Sequence, residues 1–203
     1  MNIIYFERIN STQKVLLEKL DKYKLPVCVW SDYQVDGIGS RGNKWIGKKG
    51  NLFFSFAYPL NFFENVPLQS FSIYFGWIFK KTLNDFGSCA VLKWPNDIYL
   101  ISKKPLKIGG VITNLKKEVI VCGIGLNTKF SPSEEFGCLD IEIKNDKILQ
   151  NFFIRLEQKP KFDKVIEEYK KEFEKTKKIF GIDGELDKDG ALMKNGKKVY
   201  SRR

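Results

Sequence analysis

Hydrophobic and polar positions recur along this chain with two different periods, and the changes of period mark out its elements. Val15, Leu16 and Leu20 follow Ser11 at helical spacing. Serine is a good N-cap, so a helix starts there and is ended by Pro26. Residues 27–30 (Val-Cys-Val-Trp) form a continuous apolar run, the mark of a buried strand. Residues 32–50 carry five glycines (Gly37, Gly39, Gly42, Gly47, Gly50) and no clear apolar period, which predicts a long loop. A strand at 52–58 follows, and Pro67 opens an apolar helix reaching to about 86. The runs 91–94, 98–101, 107–115 and 118–123 are joined too tightly for crossover helices, so they predict an antiparallel meander.

Two more helices are expected at 145–157 and 160–178. In the second, Phe162, Val165, Ile166, Tyr169 and Phe173 share one face, with lysines and glutamates between them. Past Gly181 the turn pairs Asp189-Gly190 and Asn195-Gly196 separate short apolar pieces and predict a β-hairpin. The expected fold is α+β: a mixed, largely antiparallel sheet with helices packed on one face across 1–180, and a short β tail across 181–203. A chain of 203 residues holds one such domain and little more.

Composition narrows the class. No apolar run approaches the ~20 residues of a membrane span, and the first residues lack the pattern of a signal peptide, so a cytoplasmic protein is expected. The four cysteines show no C-x-x-C spacing, and Cys28 and Cys122 lie in apolar runs as small core residues. Histidine is absent altogether, which removes Ser–His and Cys–His nucleophiles and most transition-metal sites. Any catalysis must use lysine, arginine, carboxylates and backbone amides. The net charge of +11 is spread from Lys14 to Lys198 and favours acidic partners, but no nucleic-acid-binding signature accompanies it.

Two glycine patterns in the loop lose their usual meaning in context. Gly37-Ile38-Gly39-Ser40-Arg41-Gly42 has G-x-G-x-x-G spacing, but it leads through Asn43-Lys44-Trp45 into a Phe-rich strand rather than a helix. Residues 42–49 approach a phosphate-loop pattern, but Lys49 stands where a hydroxyl should hold a metal, and no helix follows. What the loop does offer is backbone N–H groups with Arg41, Lys44, Lys48 and Lys49, able to fold over an anion. The densest chemistry lies further on. Lys93-Trp94-Pro95-Asn96-Asp97 is followed, ten residues after Asp97, by Lys107-Ile108-Gly109-Gly110. Two lysines, a carboxamide and a carboxylate thus surround a turn stiffened by proline, which suits a site where a carboxylate meets a triphosphate.

Taken in order, these segments resemble the catalytic domain of the biotin protein ligases. The likeness is carried by Asn10-Ser11-Thr12, Tyr33-Gln34, Gly42-Asn43-Lys44-Trp45, Lys49-Gly50-Asn51-Leu52-Phe53-Phe54-Ser55-Phe56, Lys93-Trp94-Pro95-Asn96-Asp97-Ile98-Tyr99, Lys107-Ile108-Gly109-Gly110-Val111 and Gly123-Ile124-Gly125-Leu126-Asn127. It spans about residues 5–130. That family has a fold like the class II aminoacyl-tRNA synthetases. Its members make biotinyl-5′-adenylate from biotin and ATP, then pass the biotinyl group to a lysine of a carboxyl-carrier domain.

The resemblance implies roles. Lys107 would stand where carboxylate and phosphate meet, with Lys93 and Lys44 as further cations. Asp97 would be base or orienting group for the acceptor amine, and would lie near Mg²⁺. Ser11, Thr12 and Gln34 would hold the ureido ring, with Gly37, Gly109 and Gly110 admitting biotin close to the backbone. Gly39, Ser40, Arg41, Lys44, Trp45, Asn96 and Asn127 would lie on the adenylate side. ATP and Mg²⁺ are implied as cofactors and a biotin carboxyl-carrier protein as partner. Neither DNA nor membrane is implied, and the chain would be a monomer or homodimer.

The chain also departs from the family. The usual Gly-Arg-Gly-Arg reads Gly37-Ile38-Gly39-Ser40, leaving Arg41 to replace one guanidinium; Gln13 replaces an asparagine, and the C-terminal β region is short. Nothing ahead of Met1 supplies a DNA-binding domain, which implies a monofunctional ligase. Two other classes fit less well: a lipoate-type ligase, whose Arg-Arg-x-Ser-Gly-Gly-Gly stretch and histidine are absent here, and a basic nucleic-acid-binding module, which rests on charge alone.

Overall fold

A computed structural model describes residues 1–200. The end of the expected tail, 201–203, lies outside the described residues. A seven-stranded sheet runs β1 (Asn2–Phe6), β2 (Val27–Ser31), β5 (Leu52–Pro59), β9 (Val119–Leu126), β8 (Leu106–Lys116), β7 (Asp97–Leu100), β6 (Val91–Lys93). Strands β6 to β9 form the expected meander, with every pair antiparallel. At the other edge β1 pairs parallel to β2. Parallel neighbours need a crossover, and α1 (Thr12–Glu18) supplies it. The first strand was not anticipated.

Period-two alternation decides what each face of the sheet carries. On β5, Phe54, Phe56 and Tyr58 turn toward α2 (Phe71–Asp85), α3 (Asn145–Glu157) and α4 (Phe162–Thr176), forming the main core. Phe54 meets Phe79 and Phe152 at centroid distances of 5.7 and 5.5 Å. Helix α2 is apolar nearly all round because sheet, α3 and α4 enclose it. Its one buried cation, Lys80, pairs with Glu172 of α4 and lies over Trp77.

The three long helices therefore cover one face, as expected, but α1 lies on the other. There Leu16 and Leu20 meet Val27, Val29, Ala57 and Val121. Being only seven residues long, α1 covers part of that face and leaves the rest for a cavity.

Residues 32–50 are not uniformly loop. β3 (Gly37–Ile38) and β4 (Lys44–Trp45) pair antiparallel and make a small flap. Its tip needs the left-handed region at Arg41 (φ 59°) and Gly42 (φ 76°).

The tail is a three-stranded sheet rather than a hairpin: β10 (Glu185–Leu186), β11 (Leu192–Lys194) and β12 (Lys197–Val199). Asn195 and Gly196, both at positive φ, make the β11–β12 turn that the sequence announces. Leu186 and Leu192 enter the main core, and Trp94 Nε1 donates to the Gly190 carbonyl at 3.0 Å. The tail thus braces the Trp-Pro turn from behind. Among the described residues no helix is long and apolar enough to cross a membrane.

Candidate active site

The face left open by α1 holds a cavity of about 340 Å³. Its floor is sheet, its closed end the start of α1, its roof the flap, and its mouth the turn between β6 and β7. The floor is hollow because of small residues in register. Gly123 and Gly125 of β9 share a face; Ser55 lies opposite Gly123, and Gly110 lies opposite Gly125. A methyl group on Gly125 would stand 2.8 Å from Trp45 Cε2, so the indole rests directly on the strand backbone.

The closed end is polar. Gln34 Oε1 accepts from the Thr12 N–H at 2.7 Å and from Thr12 Oγ1 at 3.0 Å. Thr12 Oγ1 lies 2.9 Å from Ser55 Oγ. Ser11 caps α1 and accepts from the Lys14 N–H at 3.4 Å. All four side chains are buried.

The mouth is charged. Lys107 Nζ lies 2.7 Å from Asp97 Oδ1, with the two side chains 24 % and 22 % exposed. The geometry comes from a β-bulge. Asp97 pairs with Gly110 and Tyr99 with Lys107, so β8 carries one extra residue there. The bulge turns Lys107 and Gly110 to the same side. Asn96 is pinned to β8 twice: its carbonyl accepts from the Val111 N–H at 2.8 Å, and its Nδ2 donates to the Val111 carbonyl at 2.7 Å. Lys107 Nζ is also 5.5 Å from the Trp45 ring. Beside the flap, the Lys14 ammonium bonds Asp36 at 2.5 Å and holds its carboxyl below the usual range.

Of the residues singled out from the sequence, Ser11, Thr12, Gln34, Gly39, Ser40, Lys44, Trp45, Asn96, Asp97, Lys107 and Gly110 all line this one cavity. Others sit beside it. Gly37 serves the flap, since a Cβ there would strike the Trp45 carbonyl at 2.6 Å. Gly109 faces the β8–β9 contact instead, 2.8 Å from the Gly125 carbonyl on the same measure. Arg41 is exposed and borders a neighbouring cleft with Gln69 and Ser72. Asn127 is buried, donating to the Gly137 carbonyl at 3.1 Å, and fronts a small cleft beyond Trp45 with Lys44 and Phe136.

Lys93 stands apart from the cavity. It pairs with Asp97 across β6 and β7, but its ammonium lies over Tyr99 (5.0 Å) and Phe180 (5.2 Å), outside the cavity. Gln13, Ser55, Gly123, Gly125 and Phe136 also line the cavity, beyond the residues that the motifs single out. A lone serine in the Phe-rich strand and a Gly-x-Gly within a strand were the available signals. Among the described residues no group of three or more His, Cys, Asp or Glu side chains is placed to hold a metal ion.

A model of the biotin/lipoate A/B protein ligase family matches residues 5–130, which carry nearly the whole cavity. The chain belongs to that family. The biotin acetyl coenzyme A carboxylase synthetase of Helicobacter pylori, solved with bound biotinylated ATP, is similar over 98 % of this chain and 99 % of its own, at 36 % identity and a TM-score of 0.90. The bifunctional ligase/repressor BirA of Salmonella typhimurium is 30 % identical over 66 % of this chain and 43 % of its own length. For BirA of Escherichia coli K12 the figures are 28 %, 91 % and 66 %. The chain thus spans between 43 % and 66 % of these two curated ligases. Its sheet and helices follow the catalytic fold of the biotin protein ligases.

Proposed function

We propose that this family member activates biotin with ATP to biotinyl-5′-adenylate and transfers the biotinyl group to a lysine of a biotin carboxyl-carrier domain. The observation that carries this is one cavity with two unlike ends. Buried hydrogen-bonding groups at Ser11, Thr12, Gln34 and Ser55 form one end, and the Lys107–Asp97 pair forms the other. A cyclic urea with a carboxylate tail matches both ends. A lipoyl dithiolane would leave the polar end without partners, a mismatch that polar sites reject strongly.

In the first step a carboxylate oxygen of biotin attacks the α-phosphorus of ATP. The new O–P bond forms as the bond to pyrophosphate breaks. Two anions must approach, so the barrier is largely electrostatic. Lys107 Nζ faces both, and Asp97 holds it in place at 2.7 Å. Trp45 and Lys44 on the flap wall the phosphate side and help exclude water. In the second step the acceptor amine attacks the carbonyl carbon, AMP departs with the bonding pair, and Asp97 takes the amine proton. No covalent enzyme intermediate is needed, in keeping with a chain lacking histidine. Magnesium bound with ATP would neutralise phosphate charge. Asp97, the one carboxylate lining the cavity among the described residues, is the side chain that would hold it there.

The test is to incubate the protein with Mg²⁺, [α-³²P]ATP and either biotin or lipoate. A labelled acyl-adenylate and released pyrophosphate with biotin alone are expected. An adenylate with lipoate instead, or with neither acid, overturns the proposal.

A further inference from the structure

Gln13 lies in the first turn of α1, is 2 % exposed and lines the closed end of the cavity. Its amide orientation is fixed. Nε2 donates to Asn114 Oδ1 at 3.0 Å and to the Val121 carbonyl at 3.4 Å. Turned over, the amide would set its oxygen against the Val121 carbonyl, a backbone acceptor that cannot turn with it. Oε1 is therefore left at the floor, buried and without a protein partner among the described residues. A methyl on Gly123 would stand 2.6 Å from this oxygen and 3.1 Å from Ser55 Oγ. Gln13 Oε1 thus packs into the room that the missing side chain of Gly123 leaves, against the bare strand of the floor.

Ser55 has no donor to offer it. Thr12 spends both its N–H and its hydroxyl hydrogen on Gln34 Oε1, so the 2.9 Å contact between Thr12 and Ser55 must use the serine hydrogen. The end of the cavity consequently presents two acceptors, Gln13 Oε1 and Ser55 Oγ. Buried acceptors are costly until a donor reaches them, and that cost is lifted by a ligand carrying N–H groups at this end.

We propose that Gln13 is a specificity-determining residue: its Oε1 accepts a hydrogen bond from a ring N–H of a cyclic urea, selecting such a ring over a sulfur or hydrocarbon ring of similar size. This rests on the biotin reading of the cavity.

The test is calorimetric titration of the full chain and of Gln13→Met with biotin, with its two mono-N-methyl ureido isomers, and with lipoate. Gln13→Met is expected to weaken biotin about tenfold or more. One N-methyl isomer, already lacking the relevant donor, should bind wild type and variant alike, and lipoate should bind the variant no worse. That non-additivity is what a merely structural residue would not produce. If Gln13→Met fails to fold by circular dichroism, Gln13→Ala, which removes the acceptor altogether, must show the same selective loss. Equal losses for biotin and both isomers, or no loss at all, overturn the inference while leaving biotin as the substrate. A wild-type chain that binds no biotin overturns the underlying reading, and this inference with it.

Discussion

Replacing Lys107 with methionine keeps the length of the side chain and removes its charge. In the folded protein Nζ lies 2.7 Å from Asp97 Oδ1, and both side chains remain about a quarter exposed. The loss of stability is therefore small, about 0.2–1 kcal/mol for such a pair. For a domain of this size that lowers Tm by no more than about 4 °C. The effect on activation is larger. Without the cation, an uncompensated Asp97 carboxylate stands beside the position where a second carboxylate and a triphosphate must meet. Two unit charges about 4 Å apart interact by about 4 kcal/mol at an effective dielectric constant of about 20. Water at the open mouth brings the expected loss to about 2–4 kcal/mol, or about 30- to 900-fold in kcat/KM for adenylate formation. Pyrophosphate release with biotin and ATP reads the rate, and a thermal melt reads the fold. A fall of less than about fivefold, with Tm unchanged, would refute the placement of Lys107 at the reacting centre.

Gly123→Ala should weaken biotin binding at least about tenfold, because the new methyl stands 2.6 Å from Gln13 Oε1 in the cavity's closed end. Its overpacking cost of about 1–3 kcal/mol should also appear as a lower melting temperature, and titration without loss of affinity would show that the ligand does not reach this end. The thiols should divide by burial. Cys28 and Cys122 are fully buried, and burial pushes both thiols up, whereas Cys89 is exposed. Ellman titration at pH 8 should label Cys89 quickly and reach Cys28 and Cys122 only on unfolding; four fast thiols would contradict the packing. In the tail, a hydrogen bond from Lys198 holds the Asp187 carboxyl below its ordinary value of 3.8. A depressed carboxylate stabilises above its unfolded pKa, and the contribution is lost as pH falls through the folded one. Hydrogen exchange at Leu192–Lys194 and Lys197–Val199 should accelerate below about pH 4 relative to the main sheet, and Lys198→Ala should reproduce this at neutral pH. Exchange insensitive to both would remove the clamp.

The long-period features of this fold were legible because local pattern and tertiary role agree. The apolar stripe Phe162–Phe173 became the buried side of α4, and the four closely spaced β-rich runs became the meander. What escaped depends on distant partners. The Asn2–Phe6 run becomes a strand by parallel pairing with β2, which no local turn signals. The flap strands are two residues each, and they persist because Trp45 lies on the Gly125 backbone. The same holds in the site. The spacing from Asp97 to Lys107 brought both to one turn, but the bulge that faces them together is not written in either segment. Lys93 was drawn to the site by its neighbours in sequence, and its actual partners include Phe180 from the far end of the chain. Ser55 and Gln13 looked like a polar interruption and a helix residue. Only the apposition of α1 with the floor of the sheet makes them one surface.

The most direct test of the two-ended cavity is an intact-mass measurement. An isolated biotin carboxyl-carrier domain is incubated with this chain, biotin, ATP and Mg²⁺. One biotinyl group on one lysine is predicted, lost when Asp97 is changed to asparagine. A carrier domain that stays unmodified, while an established biotin ligase biotinylates the same sample, would contradict the account.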